Sequence, residues 1–378
     1  MLPFVRMLNY GNVAPEKLKV RDIVAGTNSL LLITEDNELW VRGNNAYGKL
    51  GIGTDTIVNV TEWTKVRDDV KFACASNLVC VVLTVDNKIF YCGDEWFESG
   101  GSTSSKVVTW KDVTTQFSAV NLSTVREMKM TYYCVGLLTN DNRLYAKGYD
   151  NNQTFGGSTS KVNAVLVASN VSKFYTSLPG TIYSSTTGGY YRCGISNTGA
   201  LGTSTNLTSY NLYSAPEFAS ECAVGMSTLN SGILYYDTNG STRYVIAGQN
   251  RNYQLGNSSS NTTNVYSYTE LTGYRGRFRD LWSDMNNSVL SFAISTDGNT
   301  LYYAGTNTTL SSGDPGVEYS STFKEVPHGF NDITKAASLA YLSIVQDSTG
   351  WYYSGNATTL YGLPSSDEFI PLPLPTII

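Results

Sequence analysis

The chain has 378 residues and a net charge of −5, so no overall positive field draws it to a phosphate backbone or an anionic lipid surface. Charged residues make up 15% of the sequence, where about a quarter is usual, and Ser, Thr, Asn, Gly and Tyr are abundant, a profile of strands and turns. Nucleic acid is not an expected partner, and no apolar run reaches the length that would insert in a membrane.

The N-terminal stretch MLPFVRMLNYGNVAPEKLKV lacks the charged region and apolar core of a secretory signal, so the expected location is cytoplasmic, or the virion if the chain travels in a viral assembly. Beyond it the sequence repeats. The block LLLITEDNELWVRG ends at Gly43, and six more follow: VVLTVDNKIFYCG (Gly93), GLLTNDNRLYAKG (Gly148), IYSSTTGGYYRCG (Gly194), LYYDTNGSTRYVIAG (Gly248), FAISTDGNTLYYAG (Gly305) and LSIVQDSTGWYYSG (Gly355). The glycines are spaced 46 to 57 residues apart, the period of a solenoid, array or propeller. Each block reads as a tight hairpin, because two runs of β-formers flank turn pairs such as Asp36-Asn37, Asp86-Asn87, Asp141-Asn142 and Gly188-Gly189. Three residues before the glycines stand Trp40, Phe90, Tyr145, Tyr191, Val245, Tyr302 and Tyr352, one bulky side chain per copy, as packing between neighbouring sheets requires.

Past the glycine, GNNAYGKLG, GISNTGALG and GQNRNYQLG are Asn/Gly-rich loops closed by an apolar anchor seven residues on: Leu50, Leu201 and Leu255, with Phe155 at the same offset in the third copy. A further β-rich run such as NVTEWTKV brings each unit to about four strands. The pattern predicts an all-β fold: a seven-bladed β-propeller with about four antiparallel strands per blade, spanning residues 1–378 as one domain. An open ring would expose strand edges, so the N-terminal MLPFVRMLNY and C-terminal DEFIPLPLPTII are expected to meet in one blade and close it. Prolines at every second position of FIPLPLP suit an outer edge strand or a loop pressed on the surface.

The string LLLITEDNELWVRGNNAYGKLGIG resembles a repeat of the regulator of chromosome condensation family, whose pattern is a hairpin with a D-G-type turn, a strand ending in W-G and a G-Q-L-G-type loop. The resemblance covers nearly the whole chain and implies a seven-bladed propeller; in this reading the chain is a diverged viral or phage member. It also implies guanine-nucleotide exchange on a small GTPase, or an adaptor role. The family's G-x-x-H segment, however, is replaced by Gly26-Thr27-Asn28-Ser29, and no copy retains the histidine.

Catalytic chemistry is not expected. His328, in VPHGFND, is the only histidine, reads as a surface loop residue and has no nucleophile motif beside it. The six cysteines form no CxxC pair and read as small buried hydrophobes, so no metal site and no cofactor are expected. Two segments read as partner contacts. The loop DEWFESGGS presents Trp96 and Phe97, which either serve a binding face or cap the blade. In YRGRFRDLW, strand alternation puts Arg275, Arg277 and Arg279 on one face, either for an acidic partner or glycan or as the solvated side of a half-buried strand. The expected function is a non-catalytic structural or recognition protein of a tailed-phage virion, binding other virion proteins or a host glycan or surface protein. The alternatives are the exchange factor or adaptor and a protein inhibitor of a secreted enzyme.

Overall fold

The hairpin blocks dictate the architecture. In a computed structural model, which describes residues 18–102, 105–213, 218–226, 230–258, 263–283 and 289–376, each block forms the second and third strands of a four-stranded antiparallel sheet whose strands follow chain order. Among the described residues there are seven such sheets, the blades of a propeller. Blade one comprises Val20–Gly26, Ser29–Thr34, Leu39–Asn44 and Asn59–Arg67; blade seven comprises Lys335–Ser338, Leu342–Asp347, Gly350–Gly355 and Ser366–Pro371. Among the described residues, no helix is long and apolar enough to cross a membrane.

The second strands read as continuous apolar runs because both of their faces are covered. In Ser29–Thr34, Leu31 and Ile33 pack on blade two while Leu30 and Leu32 pack on blade seven. The same division recurs around the ring, so the core is seven apolar layers, each shared by two neighbouring blades. The bulky residue of each third strand joins the layer shared with the preceding blade: Trp40 meets blade seven, Phe90 blade one and Tyr352 blade six.

The repeat glycines have φ between +108° and +143°, a region closed to other residues. A Cβ at Gly148 would stand 1.9 Å from the Tyr133 carbonyl oxygen, and one at Gly305 would stand 1.9 Å from that of Val289. Immediately before each glycine the register between third and fourth strands slips by a bulge. Turns of the central hairpins are braced by side chains: Asp86 and Asp141 accept the hydroxyls of Thr84 and Thr139 at 2.5 Å, and Asp237 accepts the Asn239 and Ser241 N–H groups.

The ring closes by packing of blade one on blade seven. The C-terminal segment supplies the outermost strand of blade seven, with Tyr352 opposite Pro371, while Pro373 and Pro375 lie beyond the end of that strand. MLPFVRMLNY lies outside the described residues, and each blade is built from one continuous stretch of chain. At the seam the Arg42 guanidinium donates to the carbonyls of Tyr361 and Gly362, Trp63 Nε1 donates to the Pro373 carbonyl at 2.8 Å, and Lys335 pairs with Asp22 at 2.5 Å. Cys74, Cys80, Cys92, Cys134 and Cys193 are buried free thiols; the Cys222 side chain lies outside the described residues.

Gly148→Ala forces strain onto a backbone contact that has no room to give, and should cost about 2–4 kcal/mol of stability in chemical denaturation, with Gly305→Ala alike. Gly157→Ala, at a positive φ with open space around it, should cost about 1 kcal/mol.

Candidate interaction face

Strand order gives the ring two unlike faces. On one lie the first-to-second turns and the long third-to-fourth loops; on the other lie the central hairpin turns and the connections between blades. The hairpin face is polar, with pairs such as Lys88–Asp86 at 2.8 Å and Arg143–Asp141 at 3.4 Å. The loop face carries most of the exposed large apolar side chains: Tyr47, Ile57, Val58, Tyr266, Leu310, Tyr319 and Tyr341.

The loops are shaped by a polar residue two positions past the repeat glycine, which caps the N–H of the anchor. Asn45 Oδ1 accepts from Leu50 at 3.0 Å, Asp150 Oδ2 from Phe155 at 3.0 Å, Ser196 Oγ from Leu201 at 3.1 Å and Asn250 Oδ1 from Leu255 at 3.1 Å. Each anchor is thereby driven into the layer shared with the next blade. Blades two and seven have Glu95 and Ala357 at the capping position, and their loops become single helical turns, Trp96–Ser99 and Thr358–Tyr361. Phe97 and Tyr361 then serve as anchors.

At four loop tips a long or bulky side chain occupies left-handed backbone: Tyr47 at φ +62°, Gln153 at φ +50°, Tyr253 at φ +60° and Leu310 at φ +60°. In blade four glycine stands at the tip, Gly199. Holding a large residue there costs of order 1 kcal/mol each. Tyr47 and Leu310 are both 38% exposed, and Tyr253 stacks on the exposed Tyr319 at 4.8 Å. Around Trp96 a second aromatic group forms: Tyr133 lies 5.3 Å and Tyr149 5.1 Å from it, and Tyr132 lies 5.8 Å from Tyr133. Burial, with Asp94 and Tyr47 close by, pushes the Tyr133 phenol well up.

The two segments expected to contact partners do not come together. Trp96 is half-buried on the loop face. Phe97 is fully buried, 5.1 Å from Tyr91 and beneath the Lys147 ammonium, so it belongs to the blade and not to a free surface. Arg275, Arg277 and Arg279 lie at the hairpin face and share no strand face. Thr272–Tyr274 is a 3-10 turn, Gly276 has φ +69°, and the strand begins only at Phe278. Arg275 is bound to Glu270, whose carboxyl is held at about 2 by Arg243 and Arg275. Arg277 is exposed. Arg279 is a bulge residue whose guanidinium donates to the Ile333 carbonyl of the next blade and pairs with Asp332 at 3.1 Å. Arg21 and Arg126 make the same staple, reaching the Val70 and Val171 carbonyls.

His328 is not a free surface residue. Its ring is half-buried, 4.4 Å from Phe330 and 5.1 Å from Tyr352, and burial lowers its pKa. Among the described residues, no group of three His, Cys, Asp or Glu is placed to hold a metal ion.

No protein-family model matches the chain, and no curated protein matches its sequence. Solved structures do match its fold. Prp20p from Saccharomyces cerevisiae, described with its binding to Gsp1p and histones, aligns with TM-score 0.71 at 14% identity, covering 86% of this chain and 82% of that one. Human WBSCR16 aligns with TM-score 0.71 at 13% identity, over 89% of this chain and 94% of that one. Yeast RCC1 (Prp20) bound to Kap60 gives TM-score 0.71 at 13% identity, over 94% and 85%. The fold is therefore the seven-bladed propeller that the repeat resemblance implies.

Tyr47→Gly should leave stability unchanged or raise it by about 1 kcal/mol in urea unfolding, because strain is relieved at an exposed tip. Phe97→Ala should cost about 3–5 kcal/mol. The single imidazole should titrate below its usual value of about 6.5 by proton NMR; since the fold holds the neutral ring, its contribution is present above that pH and is lost as pH falls through the lowered value.

Proposed function

We propose that this chain is a recognition propeller, without catalytic residues of its own, that docks on a protein partner through its loop face, and that a tailed-phage virion is the setting. The observation that carries the reading is the placement of Tyr47, Tyr253 and Leu310 in left-handed backbone at loop tips, Tyr47 and Leu310 exposed and Tyr253 half-buried against the exposed Tyr319. Strain of this kind persists where a side chain is wanted at a particular place, and exposed aromatics held on a rigid frame are what protein interfaces use as anchors. Trp96, Tyr133 and Tyr149 extend the same face across blades two and three.

Low charge and an Asn-, Thr-, Ser- and Tyr-rich surface favour a protein docked on a particle over one that diffuses among many charged partners. Exchange on a small GTPase is the second reading, favoured by the shared fold with Prp20p, a protein described with its binding to Gsp1p. Against it, Gly26-Thr27-Asn28-Ser29 forms the first-to-second turn of blade one without the family's histidine.

Co-sedimentation with purified virions tests the proposal. The chain should pellet with particles, and the double variant Tyr47→Gly, Tyr253→Gly should lose most of that binding while its melting temperature is unchanged. Failure of the unaltered chain to pellet overturns the virion setting, full binding by the double variant overturns the face, and stimulated nucleotide release from a small GTPase favours the second reading.

A further inference from the structure

The innermost strands surround a channel that holds a cavity of about 700 Å³, within the range of about 300–1,000 Å³ typical of small-molecule sites. Its charge runs against that of the chain. Arg21, Lys71, Arg126, Lys129, Lys173 and Lys335 line it, opposed among the described residues by Asp22, Glu127 and Asp280. A cation excess inside low-dielectric walls concentrates potential where an exposed patch would lose it to screening.

The cations are not equally committed. Arg21 and Arg126 are bound to carbonyls of the next blade, and Lys335 pairs with Asp22 at 2.5 Å. Lys129 donates to the Phe174 carbonyl at 2.6 Å, pairs with Glu127 and lies 4.7 Å from the centre of the Tyr175 ring. Lys71 makes one long hydrogen bond, 3.4 Å to the Val125 carbonyl, and its ammonium lies 5.5 Å from the centre of the Phe72 ring. Lys173 has no ion-pair partner among the described residues. Asp280, on blade six, has none either, and its carboxylate accepts the Leu281 N–H at 2.9 Å.

We propose that the channel binds a small multivalent anion of the phosphate class, held by Lys173, Lys129 and Lys71, with the Asp280 carboxylate as the charge that opposes it. Two or three ammonium groups on adjacent blades lining one cavity suit an anion that presents several oxygens at once. The site is separate from the loop face and independent of what docks there.

Asp280 makes the binding pH-dependent. Burial pushes its carboxyl up to about 6, against the pull of the Leu281 N–H and then of Lys173, Arg279 and Lys129. The remaining charged groups lining the cavity are Lys335 on the neighbouring blade, Arg21, Lys71, Arg126 and the carboxylates Asp22 and Glu127. As pH falls through that value Asp280 takes a proton, the channel gains one positive charge, and the anion binds more tightly.

Calorimetric titration with pyrophosphate at low salt, on either side of the Asp280 transition, tests this. One pyrophosphate should bind per chain at submillimolar concentration, and Lys173→Glu should weaken it about tenfold or more with an unchanged melting temperature. Asp280→Asn should tighten binding above the transition and flatten the pH profile; comparing it with the unaltered chain cancels the titration of pyrophosphate itself. Tyr47→Gly, Tyr253→Gly should bind pyrophosphate normally, which keeps this result distinct from that of particle docking. Absence of saturable heat, or undiminished affinity in folded Lys173→Glu, overturns the proposal.

Discussion

A contact of backbone with backbone governs the ring. At Gly43, Gly93, Gly148, Gly194, Gly305 and Gly355, ending third strands, the chain passes so close to the start of the second strand that only glycine fits, at a φ no other residue holds comfortably. The accompanying bulge turns the residue before the glycine toward the third-to-fourth loop of the preceding blade. Different chemistries then make the same join. The Arg42, Lys147 and Ser354 side chains donate to the carbonyls of Tyr361, Phe97 and Leu310, and the Cys193 thiol donates to that of Gln153 at 3.3 Å. Lys147 and Lys49, both fully buried, are lowered to about 7 by desolvation, and the Lys49 ammonium is satisfied by the carbonyls of Thr27 and Ser76 at 2.8 and 3.0 Å. Such groups are costly to bury and more costly to orphan, so they fix which loop meets which blade.

What the sequence disclosed follows from range. Hairpin turns, repeat glycines and loop anchors are local patterns that recur with a fixed offset, and a window of a dozen or so residues is enough to place each of them. The anchor of blade two shifted because Glu95 stands where blades one, three, four, five and six carry Asn, Asp or Ser. Without that cap the loop coils into one helical turn, which carries Phe97 inward and leaves Trp96 half outside. Alternation misplaced Arg275 and Arg277 because Gly276 and the 3-10 turn interrupt the strand, and a bulge re-aims Arg279.

Other features had no local signature. A tyrosine in an Asn/Gly-rich loop looks the same whether its backbone is relaxed or left-handed, so the strain at Tyr47 and Tyr253 emerges only from the dihedral angles. The channel wall was illegible for a different reason. Lys71, Lys129, Lys173 and Asp280 are separated by tens to hundreds of residues, and each is an ordinary surface charge until the ring brings the inner strands together. None of the partner-contact candidates lines that cavity; Arg279 stands on an innermost strand beside Asp280, but its guanidinium is turned to the next blade.

The seam between blade one and blade seven changes how the molecule can come apart. In an open stack of repeats the end units rest on one neighbour and fray first. Here the end blades share an apolar layer of their own, reinforced by Arg42, Trp63 and Lys335. No blade is terminal, so the first to leave must break two interfaces at once, and partial opening is penalised all round the circle. A blade can accordingly change its loops without loosening its neighbours, which lets the periphery diverge while the wheel stays whole.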